Sequence, residues 1–126
     1  MKYMLLIYMG ENAMSDGERE QCYKDSTALC HELAENGKFI AASPLQPVAT
    51  ATSVRVREGK RLITDGPFAE TREQLGGYFI VDVADAGEAA EIASRIPAAK
   101  KGTVEVRAIL EIPNLPRKLE TVGAVS

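Results

Sequence analysis

The feature that most constrains this chain is an unbroken apolar run near its start. Residues Tyr3–Met9 are seven consecutive apolar residues, and the polar turn formers Gly10, Glu11 and Asn12 end the run. Seven residues are too few to cross a membrane, for which a helix needs about 20, and no signal-peptide cleavage pattern follows them. The run therefore predicts a strand buried inside a globular domain, and we expect the protein in the cytoplasm, with no membrane partner.

Two helices and five further strands are predicted after this first strand. A core-facing stripe at helical spacing predicts a helix from about Gly17 to Asn36, capped by Ser15 or Asp16; the stripe is Cys22, Ser26, Leu29 and Leu33. A second helix is predicted to begin after Asp85 and to end before Pro97. Alternation and bounding turn residues predict the strands Lys38–Ala42, Ser53–Arg57, Arg61–Thr64, Gly76–Val83 and Thr103–Ile112.

The order of these elements indicates the fold class. Strand, helix, strand, hairpin, strand, helix, strand is typical of an α+β, ferredoxin-like antiparallel sheet with two helices on one face and an inserted β-hairpin. A chain of 126 residues supports one domain with a sizeable core. We predict that residues 1–112 form this domain and that residues 113–126 form an irregular C-terminal extension.

The sheet face turned away from the helices is predicted to carry both charged and apolar residues. Antiparallel sheets can leave one face in water, which is one interpretation. We favour a second, in which the face packs against another copy of the chain and encloses a polar-lined space, so that the protein is a homodimer. The predicted residues of this face are Arg55, Arg57, Tyr78, Ile80, Asp82, Glu105, Arg107 and Ile109.

Charge and cysteine content exclude several function classes. Fifteen Lys and Arg residues against 18 Asp and Glu give a net charge of −3, which argues against a general nucleic-acid binder. Cys22 and Cys30 lie eight positions apart on a predicted helix, about 12 Å, which is too far for a disulfide. With one histidine the chain lacks a zinc-site spacing, and it has no dinucleotide or phosphate-loop motif, so we expect neither metal nor cofactor.

The segment Thr64–Tyr78, TDGPFAETREQLGGY, is similar to the DGPF-type branch of the YCII-related (YciI-like) proteins. The stretches Arg95–Ala98 and Val104–Arg107 also resemble that branch. The resemblance implies a dimeric α+β barrel related to small enzymes such as muconolactone isomerase. It also implies proteins that are often encoded beside extracytoplasmic-function sigma factors.

The resemblance implies no known reaction, since most members are uncharacterised. Dehydrochlorinase-like or isomerase-like chemistry has been proposed from a His–Asp pair in other branches. In this chain the corresponding positions hold Tyr23 and Glu35. A phenol is a poor substitute for imidazole as a base at neutral pH. The single histidine, His31, is predicted on the helix face opposite the apolar stripe, and so on the surface.

Three carboxylates in the DGPF segment are the candidate catalytic residues: Asp65, Glu70 and Glu73. Neighbouring carboxylates raise the pKa of one member, which supplies a general acid or base for proton transfer next to a carbonyl. The candidate ligand-binding residues are Arg107, Tyr78, Arg55 and Phe68, and an arginine can hold an anionic substrate. Phe68 is also expected to anchor the turn formed by residues 65–67 in the core.

A structural role for the same residues is the alternative. Asp65 can hydrogen-bond the backbone of its own turn, and Glu70 or Glu73 can pair with Arg72 or Arg107 as a latch. A divalent cation bound by the three carboxylates is the least favoured reading, because their spacing matches no known ion-binding loop. In either role, we expect this loop to place a carboxylate within reach of Arg107.

Two function classes follow from these observations. In the first, the protein is a cofactor-independent enzyme that performs acid/base chemistry on a small polar or aromatic carbonyl compound. In the second, it is a non-catalytic ligand-binding or stress-response accessory protein linked to an extracytoplasmic-function sigma factor. A small molecule is a partner in both.

Overall fold

The computed structural model describes residues 1–69 and 71–116. Its two helices are α1 (Asp16–Glu35) and α2 (Ala86–Arg95), and short 3₁₀ turns occupy Val48–Thr50 and Pro97–Lys100. The strands are β1 (Lys2–Met9), β2 (Phe39–Pro44), β3 (Thr52–Arg57), β4 (Lys60–Asp65), β5 (Gln74–Asp82) and β6 (Thr103–Ala108).

Four of the strands form one antiparallel sheet in the order β2-β5-β1-β6. The apolar run of β1 therefore lies at a central position, paired with β5 on one side and β6 on the other. This strand order, with both helices packed on one face, is the ferredoxin-like α+β arrangement, and the predicted fold class is confirmed.

The core lies between the helices and one face of the sheet. Leu5, Phe79 and Val81 point to this side from the central strands, and Leu5 and Val81 are fully buried. Helix α1 contributes Leu29 and Leu33, as its spacing predicts, while His31 is exposed, also as predicted. Helix α2 and the turn after it complete the core with Ala89, Ile92, Ala93, Ile96 and Ala98.

The last strand ends four residues earlier than its alternation predicts. The sheet ladder between β1 and β6 runs to Tyr3 opposite Ala108, and the Ile109 N–H donates to the Lys2 carbonyl at 2.9 Å. After Ile109, none of the described residues up to 116 pairs with a strand of the sheet. Leu110, predicted to face the helices, is accordingly 81% exposed.

Strands β3 and β4 form a separate two-stranded sheet, which we call the arm (Thr52–Asp65). Its ladder runs from Thr52 opposite Asp65 to Arg57 opposite Lys60, and Glu58 and Gly59 turn the chain with positive φ. Both central residues of a type I′ turn have positive φ, which suits the twist of a hairpin. Arg55 and Arg57 therefore do not lie on the open face of the main sheet, and that part of the prediction is wrong.

Three ion pairs tie the helices to their surroundings. Arg95 contacts Glu32 at 2.7 Å and joins α2 to α1, while Lys101 contacts Glu18 at 3.2 Å. Lys38, just before β2, pairs with Glu88 of α2. The hydrogen bond from Arg95 lowers the pKa of Glu32 and raises that of Arg95. Within the described ranges, no helix combines the length and apolarity needed to cross a membrane.

Candidate functional site

A cleft of about 910 Å³ opens between the N-terminal half of α1 and the sheet. It lies where β1 and β2 end and β5 begins, so Met9 and Gly10 border it from the first strand and Pro44 and Leu45 from the second. Its volume falls in the range of about 300–1,000 Å³ that small-molecule sites occupy. The cleft is therefore our candidate site.

One face of α1 forms a wall of this cleft. The residues that line it recur at intervals of three and four, which places them on one side of a helix. Cys22 and Ser26 on this face are small, whereas Leu29 and Leu33 in the next turns are buried and fill the space beneath the helix. The short side chains of Cys22 and Ser26 leave room for the cleft beneath this part of α1. The lining residues of α1 are Arg19, Cys22, Tyr23, Ser26, Thr27 and Cys30.

Two glycines of β5 contribute to the floor of the cleft and add no side chain to it. Gly76 and Gly77 are the third and fourth residues of β5, and their backbone lines the cleft. A Cβ at position 77 would meet the Ser43 carbonyl oxygen at 3.0 Å and the Pro44 Cα at 3.2 Å. Glycine at this position therefore allows β2 to approach β5 closely at the mouth of the cleft.

The polar groups of the cleft are mostly uncharged, and they include the amides of Asn12, Gln46 and Gln74; the charged lining residues are Glu11 and Arg19. Arg19 is half-buried, with its guanidinium 3.4 Å from the Asp16 carboxylate and 3.4 Å from the backbone carbonyl of Glu11. Hydroxyl groups come from Tyr23, Ser26 and Thr27. Burial raises the pKa of the Cys30 thiol, so that it stays protonated at neutral pH and acts as a small, weakly polar group. This arrangement suits a largely apolar ligand with a few oxygen atoms.

The two predicted catalytic carboxylates that the structure describes, Asp65 and Glu73, do not line this cleft. Asp65 is exposed at the end of β4, opposite Thr52. Glu73 accepts a hydrogen bond from the Thr103 hydroxyl at 2.9 Å and borders a shallow depression beside Tyr8 and Glu105. Glu70 lies outside the described residues. Asp65 and Glu73 thus have separate surroundings, and no local pattern of residues predicts this separation.

The expected pair between Arg107 and a loop carboxylate is not formed by Asp65 or Glu73. Arg107 is exposed, and its Nε lies 3.8 Å from a Glu105 carboxylate oxygen on the same strand. Thr103, which holds Glu73, is four residues away from Arg107, about 13 Å along an extended strand. That separation is the physical reason why the two side chains have different partners.

The arm brings together two of the predicted ligand-binding residues, away from the cleft. The Arg55 guanidinium lies over the Phe68 ring, 4.8 Å from its centroid. Phe68 is 74% exposed, so the expectation that it anchors the turn in the core is wrong. The turn is held instead by backbone bonds: the Gly66 N–H donates to Ala51, and the Ser53 hydroxyl donates to the Gly66 carbonyl. Gly66 has a φ of +102°, as a glycine can adopt.

Of the predicted site residues that the structure describes, Tyr78 alone borders the cleft, and because it alternates with the buried Phe79, its side chain faces the open side of the sheet. The residues at the His–Asp positions, Tyr23 and Glu35, lie twelve positions apart on α1, about 18 Å along the helix axis. They therefore form no catalytic pair. No three Asp, Glu, His or Cys side chains cluster as a metal site requires in the part of the chain that the structure describes.

The sequence analysis missed the helix wall of the cleft. The sequence does contain a pattern that indicates this wall, because Tyr23, Ser26 and Thr27 share the 3.6-residue period of the core stripe. A polar or small residue at a core-facing position of a helix marks either a gap or a site. The prediction took Cys22 and Ser26 as ordinary members of the core stripe.

Comparisons with known proteins agree with this architecture. A family model described as "YCII-related domain" matches residues 1–113. The uncharacterized protein R00369 of Rhizobium meliloti (strain 1021) is 36% identical over 112 residues, which cover 85% of this chain and 90% of that protein.

A solved structure shares the fold. The 5-chloro-2-hydroxyhydroquinone dehydrochlorinase of Burkholderia phenoliruptrix AC1100, in complex with 2,5-dihydroxybenzoquinone, matches with a TM-score of 0.53 and 12% sequence identity. The match covers 87% of this chain and 94% of that one. At this identity the likeness concerns the fold, and the DGPF-type branch stays a prediction.

Proposed function

The chain belongs to the YCII-related domain family, and from that premise we propose that it binds a small, oxygen-bearing ring compound in the cleft beneath α1. The observation that carries this proposal is the cleft itself, with short side chains on its helix wall and glycines on its floor. Its lining is mainly apolar, and hydroxyl groups project into it at a few points. A flat ring with hydroxyl or carbonyl oxygens matches that distribution.

Each wall has a separate role in this proposal. The sulfur-bearing and aliphatic side chains Met9, Met14 and Leu75 contact the ring, while the Ser26 hydroxyl donates to one of its oxygens. The Thr27 hydroxyl donates to the Tyr23 carbonyl at 2.7 Å, so it accepts a hydrogen bond from a hydroxyl group of the ligand. Arg19, which has only long contacts of 3.4 Å to its protein neighbours, supplies a positive charge for an ionised oxygen. The dehydrochlorinase of the same fold is complexed with a dihydroxybenzoquinone, which supports this ligand class.

We also propose that the protein is a homodimer. Its two copies pack through the open face of the main sheet, which is the face turned away from the helices. Cross-strand pairing supports this, since it aligns Ile80 with Met4 and Tyr78 with Leu6 across the two central strands. On the outer strand β6 the same rows end in Arg107 and Glu105. An apolar centre with a charged edge is the usual composition of a protein–protein interface.

Binding without turnover is the form of the function that the geometry supports best. Acid/base catalysis by a pair of loop carboxylates needs both beside one ligand, whereas Asp65 and Glu73 lie in separate surroundings outside the cleft. A non-catalytic role, as an accessory protein of a sigma-factor system, is compatible with a cleft that offers hydroxyl groups and one arginine. Cys22 and Cys30, both unpaired, suit the reducing cytoplasm, which is the compartment we propose.

Calorimetric titration with 2,5-dihydroxybenzoquinone and with hydroquinone tests the proposal. We expect saturable binding to the wild type and its loss in Ser26→Phe, because the larger ring fills the cleft. Ala28→Phe is the matched control, since Ala28 is an exposed residue of the same helix that does not line the cleft. Equal binding by both variants would refute the site.

The same titration separates binding from turnover. The absorbance spectrum of each compound, recorded over hours with protein, remains that of the bound ligand if the protein only binds it. A new product spectrum that disappears in Glu73→Gln would favour the enzyme instead, with Glu73 as its acid or base. That result would leave the location of the cleft intact but would overturn the non-catalytic role.

A further inference from the structure

The lining of the cleft changes in character from its mouth to its inner end. Glu11, Asn12 and Gln46 line the mouth, and all three are exposed to solvent. At the inner end the lining residues are buried or half-buried, and none carries a charge or an amide side chain. They are Ile7, Cys30, Ala42, Phe79, Ile96 and Ala98. The cleft is therefore polar where it opens and apolar where it meets the core.

The inner end continues the hydrophobic core of the domain. Ile7 of β1, Cys30 of α1 and Ala42 of β2 are half-buried and pack against the core. Beneath them Phe79 and Ile96 are 3% and 1% exposed. The Cys30 thiol, whose pKa is raised by burial, is the most polar group among these residues. A ligand group at this end gains free energy by leaving water for apolar contacts, not by hydrogen bonding.

The cleft is also larger than a single ring requires. Its volume of about 910 Å³ lies near the upper end of the range of about 300–1,000 Å³ that drug-sized ligands occupy. A single ring with a few oxygens is smaller than such ligands and leaves part of the cleft to water. Water at the apolar inner end has few hydrogen-bond partners, so a ligand group that replaces it there is favoured.

We propose that the cleft selects ring compounds that carry an apolar substituent, with the substituent at the inner end and the ring oxygens toward Ser26, Arg19 and the mouth. The inference rests on the proposed function and deepens it, because it adds an apolar group to the ligand class. Cys30 lies one turn after Ser26, about 6 Å farther along the axis of α1. The two ends of such a ligand therefore contact successive turns of the same helix.

Calorimetric titration with a series of hydroquinones tests this selectivity. The probes are hydroquinone and its methyl, propyl and pentyl derivatives, which share one polar ring and differ only in the length of the chain. We expect the affinity to rise by roughly fourfold for each methylene that enters the inner end, the usual gain for burial of such a group. Equal affinities across the series, or weaker binding of the longer members, would overturn the inference.

Variants that fill the inner end locate the chain. Cys30→Phe and Ala42→Leu narrow this end from opposite walls, and in each we expect the ratio of pentyl to unsubstituted affinity to fall close to one. Ala28→Phe and Ala41→Leu are the matched controls, because each lies on the same element as its test residue and does not line the cleft. In the controls the ratio should stay at its wild-type value.

Two results would count against the inference in different ways. A pentyl gain that survives in both inner-end variants would show that the chain binds elsewhere, and would refute the inference while leaving the ring site intact. If the wild type binds no member of the series and no dihydroxybenzoquinone, the proposed function fails and this inference fails with it.

Discussion

At the scale of single residues, the size of a side chain decides where this fold is filled and where it is open. Beneath α1, Leu29 and Leu33 are buried in the core, whereas the smaller Ser26 and Cys22, one and two turns before Leu29, leave space for the cleft. On the sheet side, Gly77 allows the backbones of β2 and β5 to lie so close together that a Cβ at this position would clash with β2. The candidate site is thus a space that small side chains and a glycine leave unfilled.

Gly77→Ala is expected to destabilise the protein. The new Cβ would lie 3.0 Å from one backbone atom of β2 and 3.2 Å from another, and backbone in a paired strand yields little. Overpacking of this kind costs about 1–3 kcal/mol of unfolding free energy, measurable by urea denaturation. Gly17→Ala is the control, because nothing lies within 4 Å of a Cβ there. Equal stability of Gly77→Ala and the wild type would show that the strands separate easily at this point.

Sequence reasoning succeeded where one residue pattern has one structural meaning. Alternation in β5 placed Phe79 and Val81 in the core, and they are buried. It failed where the outcome depends on distant neighbours: the period of α1 does not distinguish a core stripe from the wall of a cleft, and Phe68 has an apolar side chain but no core to enter. Arg107 pairs with Glu105 two residues earlier on its own strand, and whether a loop carboxylate also reaches it depends on the course of the loop, which no local pattern contains.

At the scale of elements, the start of α1 is fixed by side chains that precede the cleft wall. The Ser15 hydroxyl accepts a hydrogen bond from the Glu18 N–H at 3.2 Å, and the Glu18 carboxylate accepts one from the Ser15 N–H at 2.9 Å. This capping box satisfies backbone donors that the first turn of a helix leaves free. These bonds, with Lys101 on Glu18, lower the pKa of that carboxyl.

Ser15→Ala is expected to lower the free energy of unfolding by about 1 kcal/mol, the usual cost of losing an N-cap acceptor. Ser15→Asp restores an acceptor at the same position and should recover most of the loss. Both are compared by chemical denaturation. If Ser15→Ala and Ser15→Asp destabilise the protein equally, the cap does not hold the start of the helix.

The contact between α1 and α2 should depend on pH. The hydrogen bond from Arg95 lowers the pKa of Glu32 in the folded protein. A carboxyl with a lowered folded pKa stabilises the fold above its unfolded pKa, about 4.3, and loses that contribution as pH falls through the folded value. Glu32→Gln should therefore lower the melting temperature slightly near neutral pH, and the difference should vanish in acid.

Thermal melts over a range of pH check this expectation. Glu20→Gln is the control, since Glu20 lies on the same helix and takes part in no ion pair of the described ranges. A Glu32→Gln deficit that persists unchanged in acid would mean that the lost interaction is packing and not the ion pair. Both side chains are about half exposed, so the effect is small.

At the scale of the whole molecule, the sheet divides the protein into two sides with different roles. The helix side holds the core and the cleft, and the open side presents a row of apolar residues that is bordered on β6 by the charged residues Glu105 and Arg107. The account places the ligand on the helix side and the second copy on the open side, so the two events occupy different surfaces.

The most direct test is a ¹⁵N and methyl NMR titration with 2,5-dihydroxybenzoquinone, because it locates the ligand on the molecule. The account predicts the largest shift changes at Ser26, Cys30 and Leu75, which line the cleft, and little change at Met4 and Ile80 on the open face. Shift changes confined to the open face would contradict it, since they would place the ligand between the sheets instead of beneath α1.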